Sequence, residues 1–332
     1  MTSTGNDMNL ILGVDAGNTK TLAVLATQKG EIIGVGRGGC GDIYGALSPQ
    51  AAIAEVKKAI HSALAKAEAR AQDIHTGAFS MAGADWPEDY DFLKKTMKQL
   101  ALGKKIVIVN DAMGGLRAGS QDGYGVSVVL GTGVAIGAKG YNDSSWHGSH
   151  WIRRLDSNHL VEEIINAVLL SELGIGSSTS LTDRVLHIFN KKTVENFLHA
   201  ITHRDNSQSK RKNKMMAALL DEAVNNDDAA QEIVQRFAER CGDYALTAAY
   251  KVKFRKDQSF PLVFSGGMFR HPSSLIMDIT TERVRAKLPG AIPILSRFEP
   301  MIGALFLGFE AANIGISAEV KENLKKTMQA HY

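Results

Sequence analysis

The chain has 332 residues, 44% of them hydrophobic and 22% charged, with a formal net charge of +3. That is the composition of an ordinary globular protein, long enough for two separately packed cores, since single cores stop growing near roughly 250 to 300 residues. The near-balanced charge gives no case for nucleic acid or an anionic membrane surface as partner. No apolar run approaches the ~20 residues of a membrane span, and the stretch Met1 to Asp7 lacks the charged and apolar regions of a signal peptide. Cys40 and Cys241 stand far apart and outside any CxxC or Cys/His pattern, which argues against a disulfide framework or a zinc site and fits a reducing compartment. A cytoplasmic protein is expected.

In chain order, the first element is a hairpin. Gly13-Val14-Asp15-Ala16-Gly17-Asn18-Thr19-Lys20 lies between the β-type runs Asn9 to Leu12 and Thr21 to Leu25. Gly13 and Gly17 let backbone amides approach an anion, Thr19 and Lys20 add a hydroxyl and a cation, and Asp15 suits Mg²⁺ held through water. The GxxxxGK[ST] spacing of a Walker loop is absent. A plain Gly/Asn turn would read the same way in isolation, but the pattern recurs. Tyr124 to Leu130 reads as a buried strand, Gly131-Thr132-Gly133 as a turn and Val134 to Ala138 as the returning strand.

Between the two hairpins, Glu31 to Gly36 reads as a third strand across a Lys29-Gly30 turn, and Ala51 to Ala71 as an amphipathic helix. Thr76 to Met81 is a fourth strand. Asp85 with Glu88 three residues on has the form of a capping box for a helix from about Trp86 to Leu100, with Pro87 tolerated in its first turn. Lys105 to Val109 is a fifth strand, and Asp111 at its carboxyl end occupies the place where open α/β sheets hold their sites. A helix N-cap is the plainer role for an Asp there. Leu160 to about Tyr250 is mainly helical, with the basic run Lys210 to Lys214 after a polar Asn206 to Ser209 segment read as a solvated loop entering a helix. Strands return at Leu262 to Ser265 and Ile292 to Leu295. Met301 to Ile314 is an apolar helix whose small residues Gly303, Ala304, Gly308, Ala311 and Ala312 invite close packing.

In their order, the segments GVDAGNTKT, FSMAGAD, VNDAMGG, LGTG, FSGGMF and MIGALFLGFEA resemble the phosphate, connecting, catalytic, second phosphate, adenosine and second connecting motifs of the sugar-kinase, heat-shock-protein and actin superfamily. Within it the chain most resembles the BadF/BadG/BcrA/BcrD-type ATPases, a group that contains N-acetylglucosamine kinases. The resemblance implies an α/β fold of two ribonuclease H-like (actin-like ATPase) domains, each a mixed five-stranded sheet flanked by helices, with ATP in the interdomain cleft. The expected division is 1–116, joined by a C-terminal helix from about 303 to 332, and 117–302 with a helical insertion.

The activity implied is transfer of the γ-phosphate of ATP to a hydroxyl of an N-acetylated amino sugar, N-acetylglucosamine first. Carried over, Asp111 is the general base and Asp15 holds Mg²⁺ through water. Gly13, Gly17, Asn18, Thr19 and Lys20 line the terminal phosphates, Gly131, Thr132 and Gly133 form the opposing turn, and Gly266 and Gly267 leave room for adenosine. On the acceptor side, Asp42, Gly83, Asp111 and Asp156 are the candidate sugar-binding residues. The partner is thus a small-molecule sugar, and a homodimer is left open.

The acceptor side also departs from the family. The Gly-Asp-Glu-Gly-Ser segment usual after the second phosphate motif is replaced by Trp146-His147-Gly148-Ser149-His150-Trp151-Ile152-Arg153-Arg154-Leu155-Asp156-Ser157-Asn158. The family's Asn-containing sugar loop appears as Gly39 to Gly45. The Trp, His and Arg residues of the first segment read either as a wall that stacks on a sugar and binds an anionic substituent, or as a surface loop with buried tryptophans. Two other functions are weighed. A sugar or nucleotide sensor without turnover would fit the altered loops. An ATPase activator of a radical dehydratase would need cluster-binding cysteines, and Cys40 and Cys241 lack that context.

Overall fold

The computed structural model describes residues 9–203 and 211–329, the Lys212 side chain excepted. The expectations for Met1 to Asp7 and for Asn206 to Lys210 lie outside the described residues. The first sheet is built from β1 (Leu10–Ala16), β2 (Thr21–Ala26), β3 (Ile32–Gly38), β4 (Ile74–Met81) and β5 (Lys105–Asn110), with helices α1 (Pro49–Lys66) and α2 (Pro87–Gln99) between its strands. Helix α3 (Asp111–Gly119) leads to the second sheet: β6 (Gly125–Leu130), β7 (Val134–Lys139), β8 (Ser145–His147), then β9 (Phe260–Ser265) and β10 (Ala291–Leu295). Helices α4 (Ser157–Glu172), α5 (Leu181–Phe189), α6 (Val194–Thr202), α7 (Lys212–Val224) and α8 (Asp228–Lys251) lie between β8 and β9, and α9 (Leu275–Arg285) joins β9 to β10. The described chain closes with α10 (Pro300–Ala311) and α11 (Ala318–Met328).

The two sheets repeat one topology. In the order β3-β2-β1-β4-β5 the first three strands are antiparallel, while β4 and β5 run parallel to β1. In the order β8-β7-β6-β9-β10 the same pattern recurs. The repeated hairpin in the sequence is therefore the first two strands of each copy. The three-residue β8 is a strand that apolar patterning does not announce.

Alternation along β1 sorts its side chains. Leu10, Leu12, Val14 and Ala16 join the core under α1 and α2, while Ile11 joins Val24, Val35, Ile302, Leu305, Phe309 and Leu324 in a core covered by α10 and α11. Gly13, on that second face, has a packing duty: a Cβ there would stand 2.6 Å from the Leu305 backbone N. Helix α10 is apolar over most of its surface because it packs against β1 on one side and α3 on the other, with Glu310 left at the exposed edge. At the α3 crossing a Cβ on Gly303 would fall 1.9 Å from the Gly114 carbonyl oxygen. The crossing is latched by Arg117, buried in α3, whose Nε donates to Glu310 of α10 at 2.7 Å and whose guanidinium stands 5.1 Å from the Phe306 ring centroid.

Candidate active site

A cavity of about 940 Å³ opens between the sheets, at the carboxyl ends of β1, β4, β5, β6 and β9. In open α/β sheets these ends carry the sites because loops leave the sheet there and backbone amides are unpaired. Two hairpin turns face each other across it. In the first, the Gly17 N–H closes onto the Lys20 carbonyl at 2.9 Å; in the second, the Gly131 N–H closes onto the Gly133 carbonyl at 2.9 Å. The turns meet tip to tip, with Thr19 Oγ1 and Thr132 Oγ1 3.1 Å apart.

The glycines differ in what they serve. A Cβ added to Gly131, Gly133 or Gly267 would meet nothing within 4 Å, so their bare faces look into open space. Gly266 has φ +103° and a Cβ there would stand 2.4 Å from the Leu130 carbonyl oxygen, so backbone packing demands glycine as well. Gly17, Asn18, Thr19, Lys20, Gly131, Thr132, Gly133, Gly266 and Gly267 all line the cavity. Gly13 does not; it is covered by α10, for the packing reason given above. Asp156 does not line it either. It is the N-cap of α4, accepting from the His159 N–H at 2.9 Å, and its neighbour Ser157 braces the second turn through a 2.6 Å bond from Oγ to the Thr132 carbonyl.

Four aspartates line the cavity, Asp15, Asp42, Asp85 and Asp111, together with Glu299. Burial pushes Asp15 up to about 6, with Lys20 opposing and Glu299 adding to the rise. Asp111 is pushed up to about 7 by burial and by Asp15, Asp85 and Asp42 around it. The N-cap of α3 is Asn110, whose Oδ1 accepts the Ala112 N–H at 3.1 Å; capping thus falls to the neighbour, and Asp111 faces the cleft. Asp42 accepts the Tyr44 N–H at 2.9 Å and, at 3.4 Å, the Asn18 side-chain amide. Gly83, at φ +84°, leaves room for it: a Cβ would stand 2.7 Å from Asp42 Oδ1.

Asp85 is the residue that sequence reasoning placed in the wrong role. The cap of α2 is made by Asp89, which accepts the Trp86 and Asp85 N–H groups at 2.8 and 3.2 Å. The Asp85 carboxylate instead accepts from Asn110 Nδ2 at 3.0 Å and Ser149 Oγ at 2.6 Å, and pairs with His150 Nε2 at 3.2 Å. His150 also stacks on Trp86, centroids 5.9 Å apart and planes 10° apart, and meets the Tyr44 ring edge-on at 5.0 Å. Ser149 holds φ +33°, a conformation L side chains rarely adopt, and His147 Nδ1 lies 2.6 Å from its Oγ. Residues 147–150, part of the segment 146–158 that departs from the family pattern, thus cross the cleft to the first sheet's residues.

Of the rest of that segment only Ser157 lines the cavity. Trp146 packs partly buried against the core of the second sheet, Trp151 is 70% exposed, and the carbonyls of Arg153 and Arg154 are held by Arg240. Neither arginine side chain lines the cavity. Arg37, Arg270, His271 and Glu299 line it without having been singled out from sequence, Arg270 being ion-paired with Glu299 and His271 lying 3.1 Å from Asp221. Only the FSMAGAD segment, which ends on Asp85, held a signal for any of the missed residues. The cysteines stay apart from the site, Cys241 buried in α8 and Cys40 half-buried in the loop after β3.

Opposed amide-lined turns suit a polyphosphate, and a carboxylate held near neutrality beside them suits proton abstraction from a hydroxyl. Among the described residues no group of three or more His, Cys, Asp or Glu side chains is arranged to hold a metal. Asp15, with Glu299 near it, is the sparse donor set that Mg²⁺ uses when phosphate oxygens and water complete its shell.

Comparison with known proteins bears on the same regions. The N-acetyl-D-glucosamine kinase of Dictyostelium discoideum is 24% identical over 317 residues, which cover 91% of this chain and 98% of that one. The N-acetylmuramic acid/N-acetylglucosamine kinase of Clostridium acetobutylicum is 21% identical over 272 residues, 80% of this chain and 87% of that one. The crystal structure of a candidate N-acetylglucosamine kinase from Chromobacterium violaceum superposes with a TM-score of 0.65 at 17% identity, over 91% of this chain and 99% of that one, and shares the fold. The model of the BadF/BadG/BcrA/BcrD ATPase family matches residues 12–308, and the chain belongs to that family.

Proposed function

We propose that the protein is an ATP-dependent kinase that transfers the γ-phosphate to a hydroxyl of N-acetylglucosamine. The observation that carries this reading is the meeting of Thr19 and Thr132 at 3.1 Å, which puts two phosphate-type turns on opposite sides of one cleft with Asp111 lining the same space. A triphosphate lies between the turns, with Gly17 to Lys20 on one side and Gly131 to Gly133 on the other. Adenosine lies along Gly266 and Gly267. Asp15, with Glu299 near it, would hold Mg²⁺, which would supply neutralisation of the phosphate charge.

The sugar occupies the end of the cavity walled by Asp42, Gly83, Asp85 and Tyr44. Asp111 takes the proton from the attacking hydroxyl, and Lys20 and the turn amides stabilise the charge on the transferred group. Closure brings the lobe that carries the first sheet toward the lobe that carries the second, the α3 and α10 crossing serving as hinge. Names of two relatives at 24% and 21% identity support the acceptor class. A coupled ADP-release assay with Mg·ATP against N-acetylglucosamine, N-acetylmannosamine, glucosamine and glucose tests the reading: N-acetylglucosamine gives the highest kcat/KM, and a flat response across the panel refutes it.

A further inference from the structure

Resting on the kinase reading, we propose that the acceptor end of the cleft selects by charge: it takes a neutral N-acetylated amino sugar and rejects one that carries a carboxylate, as N-acetylmuramic acid does. Three carboxylates, Asp42, Asp85 and Asp111, line that end, and they are close enough for Asp42 and Asp85 both to raise the Asp111 carboxyl. An acidic substituent needs a free cation to meet it, and among the described residues each basic side chain lining the cavity is committed to a partner or set apart from the acceptor end.

Lys20 belongs to the first phosphate turn and acts on Asp15. Arg270 is ion-paired with Glu299 at the start of α10, and His271 Nε2 lies 3.1 Å from Asp221 Oδ1 of α7. Arg37 is exposed and lines the cavity from the other face of the sheet: it stands opposite Leu22 in the β2–β3 register, on the side that carries α10 and α11. The loop that carries Asp42 leaves toward the α1 face, where a Cβ on Gly41 would meet Thr21, Ala16 and Val56. Among the described residues His150 is the one basic side chain at the acceptor end, and its Nε2 is held by Asp85 at 3.2 Å, its ring in contact with those of Trp86 and Tyr44. Arg153 and Arg154, the residues in the sequence best suited to an acidic sugar, lie outside the cavity lining.

A cleft of one sign with low-dielectric walls concentrates its field on whatever enters, and like charges brought together across an interface exclude the wrong partner. The chain would therefore differ from its Clostridium acetobutylicum relative, whose name includes both sugars.

Calorimetry on the full chain, saturated with Mg²⁺ and a non-hydrolysable ATP analogue, tests this with three probes: N-acetylglucosamine, N-acetylmuramic acid, and the neutral carboxamide of N-acetylmuramic acid. The acid is expected to bind at least ~100-fold more weakly than N-acetylglucosamine, and the carboxamide within ~10-fold of it. Asp42→Asn narrows the gap for the acid, as does raising the ionic strength from about 0.02 to about 0.5 M. Binding of the acid within ~3-fold of N-acetylglucosamine overturns the proposal, as does exclusion of the carboxamide to the same degree as the acid, which would make the discrimination steric. Association of both sugars removes the selectivity alone; no association of N-acetylglucosamine removes the kinase reading with it.

Discussion

At the scale of single residues the account rests on carboxylates made reluctant to ionise. Asp111 keeps its proton up to about pH 7, and a proton acceptor must be a carboxylate, so kcat/KM rises with pH through that value and levels off above it. A pH–rate profile flat from pH 5 to 8 would contradict this role. Asp111→Asn lowers kcat by about 10² to 10⁴ while nucleotide affinity, measured by calorimetry, stays near that of the parent. The same burial has a signed effect on stability. Asp15 and Asp111 have folded values of about 6 and about 7, above the ordinary 3.8. Between about pH 4 and 7 the folded state therefore holds protons that the unfolded chain has released, and stability falls as pH rises across that window. Thermal melts should show Asp111→Asn about 2 °C or more above the parent at pH 8 and no higher at pH 4.

At the scale of elements the glycines divide into two testable kinds. Gly131 has empty space where a Cβ would go, so Gly131→Ala keeps the parent Tm but puts a methyl where phosphate oxygens approach, weakening nucleotide binding about tenfold or more. Gly303 faces the Gly114 carbonyl at the α3 and α10 crossing. Gly303→Ala overpacks it, costs about 1 to 3 kcal/mol or more, and lowers the Tm measured by calorimetry. What was legible here follows from local chemistry. The hairpins were readable because strand, glycine turn and returning strand are contiguous, and the packing role of Gly303 because small residues recur at helical spacing. Asp85 was misread because Asp-Trp-Pro-Glu satisfies the capping pattern locally. The preference of Asp89 for the Trp86 and Asp85 amides, and of Asp85 for a serine and a histidine some 65 residues away, is a tertiary outcome that no local spacing encodes. Gly13 was misassigned for a related reason: a bare strand position opposite a ligand and one beneath a helix look alike in sequence.

At the scale of the molecule, two copies of one sheet topology face each other and each contributes a turn to the same cleft. The repeat could be read from the sequence because the second hairpin copies the first. Its consequence, Thr19 against Thr132, depends on how the copies pack. The acceptor wall was the least legible part, since His150 reaches Asp85 across the cleft from the segment least like the family's. The central claim is that this cleft moves phosphate from nucleotide to sugar with Asp111 as the base. The most direct measurement is ³¹P NMR of N-acetylglucosamine and Mg·ATP incubated with the protein and with Asp111→Asn. A sugar phosphomonoester should grow mole for mole with ADP in the parent and be nearly absent in the variant; ADP without a sugar phosphomonoester, or equal growth with both proteins, would contradict the account.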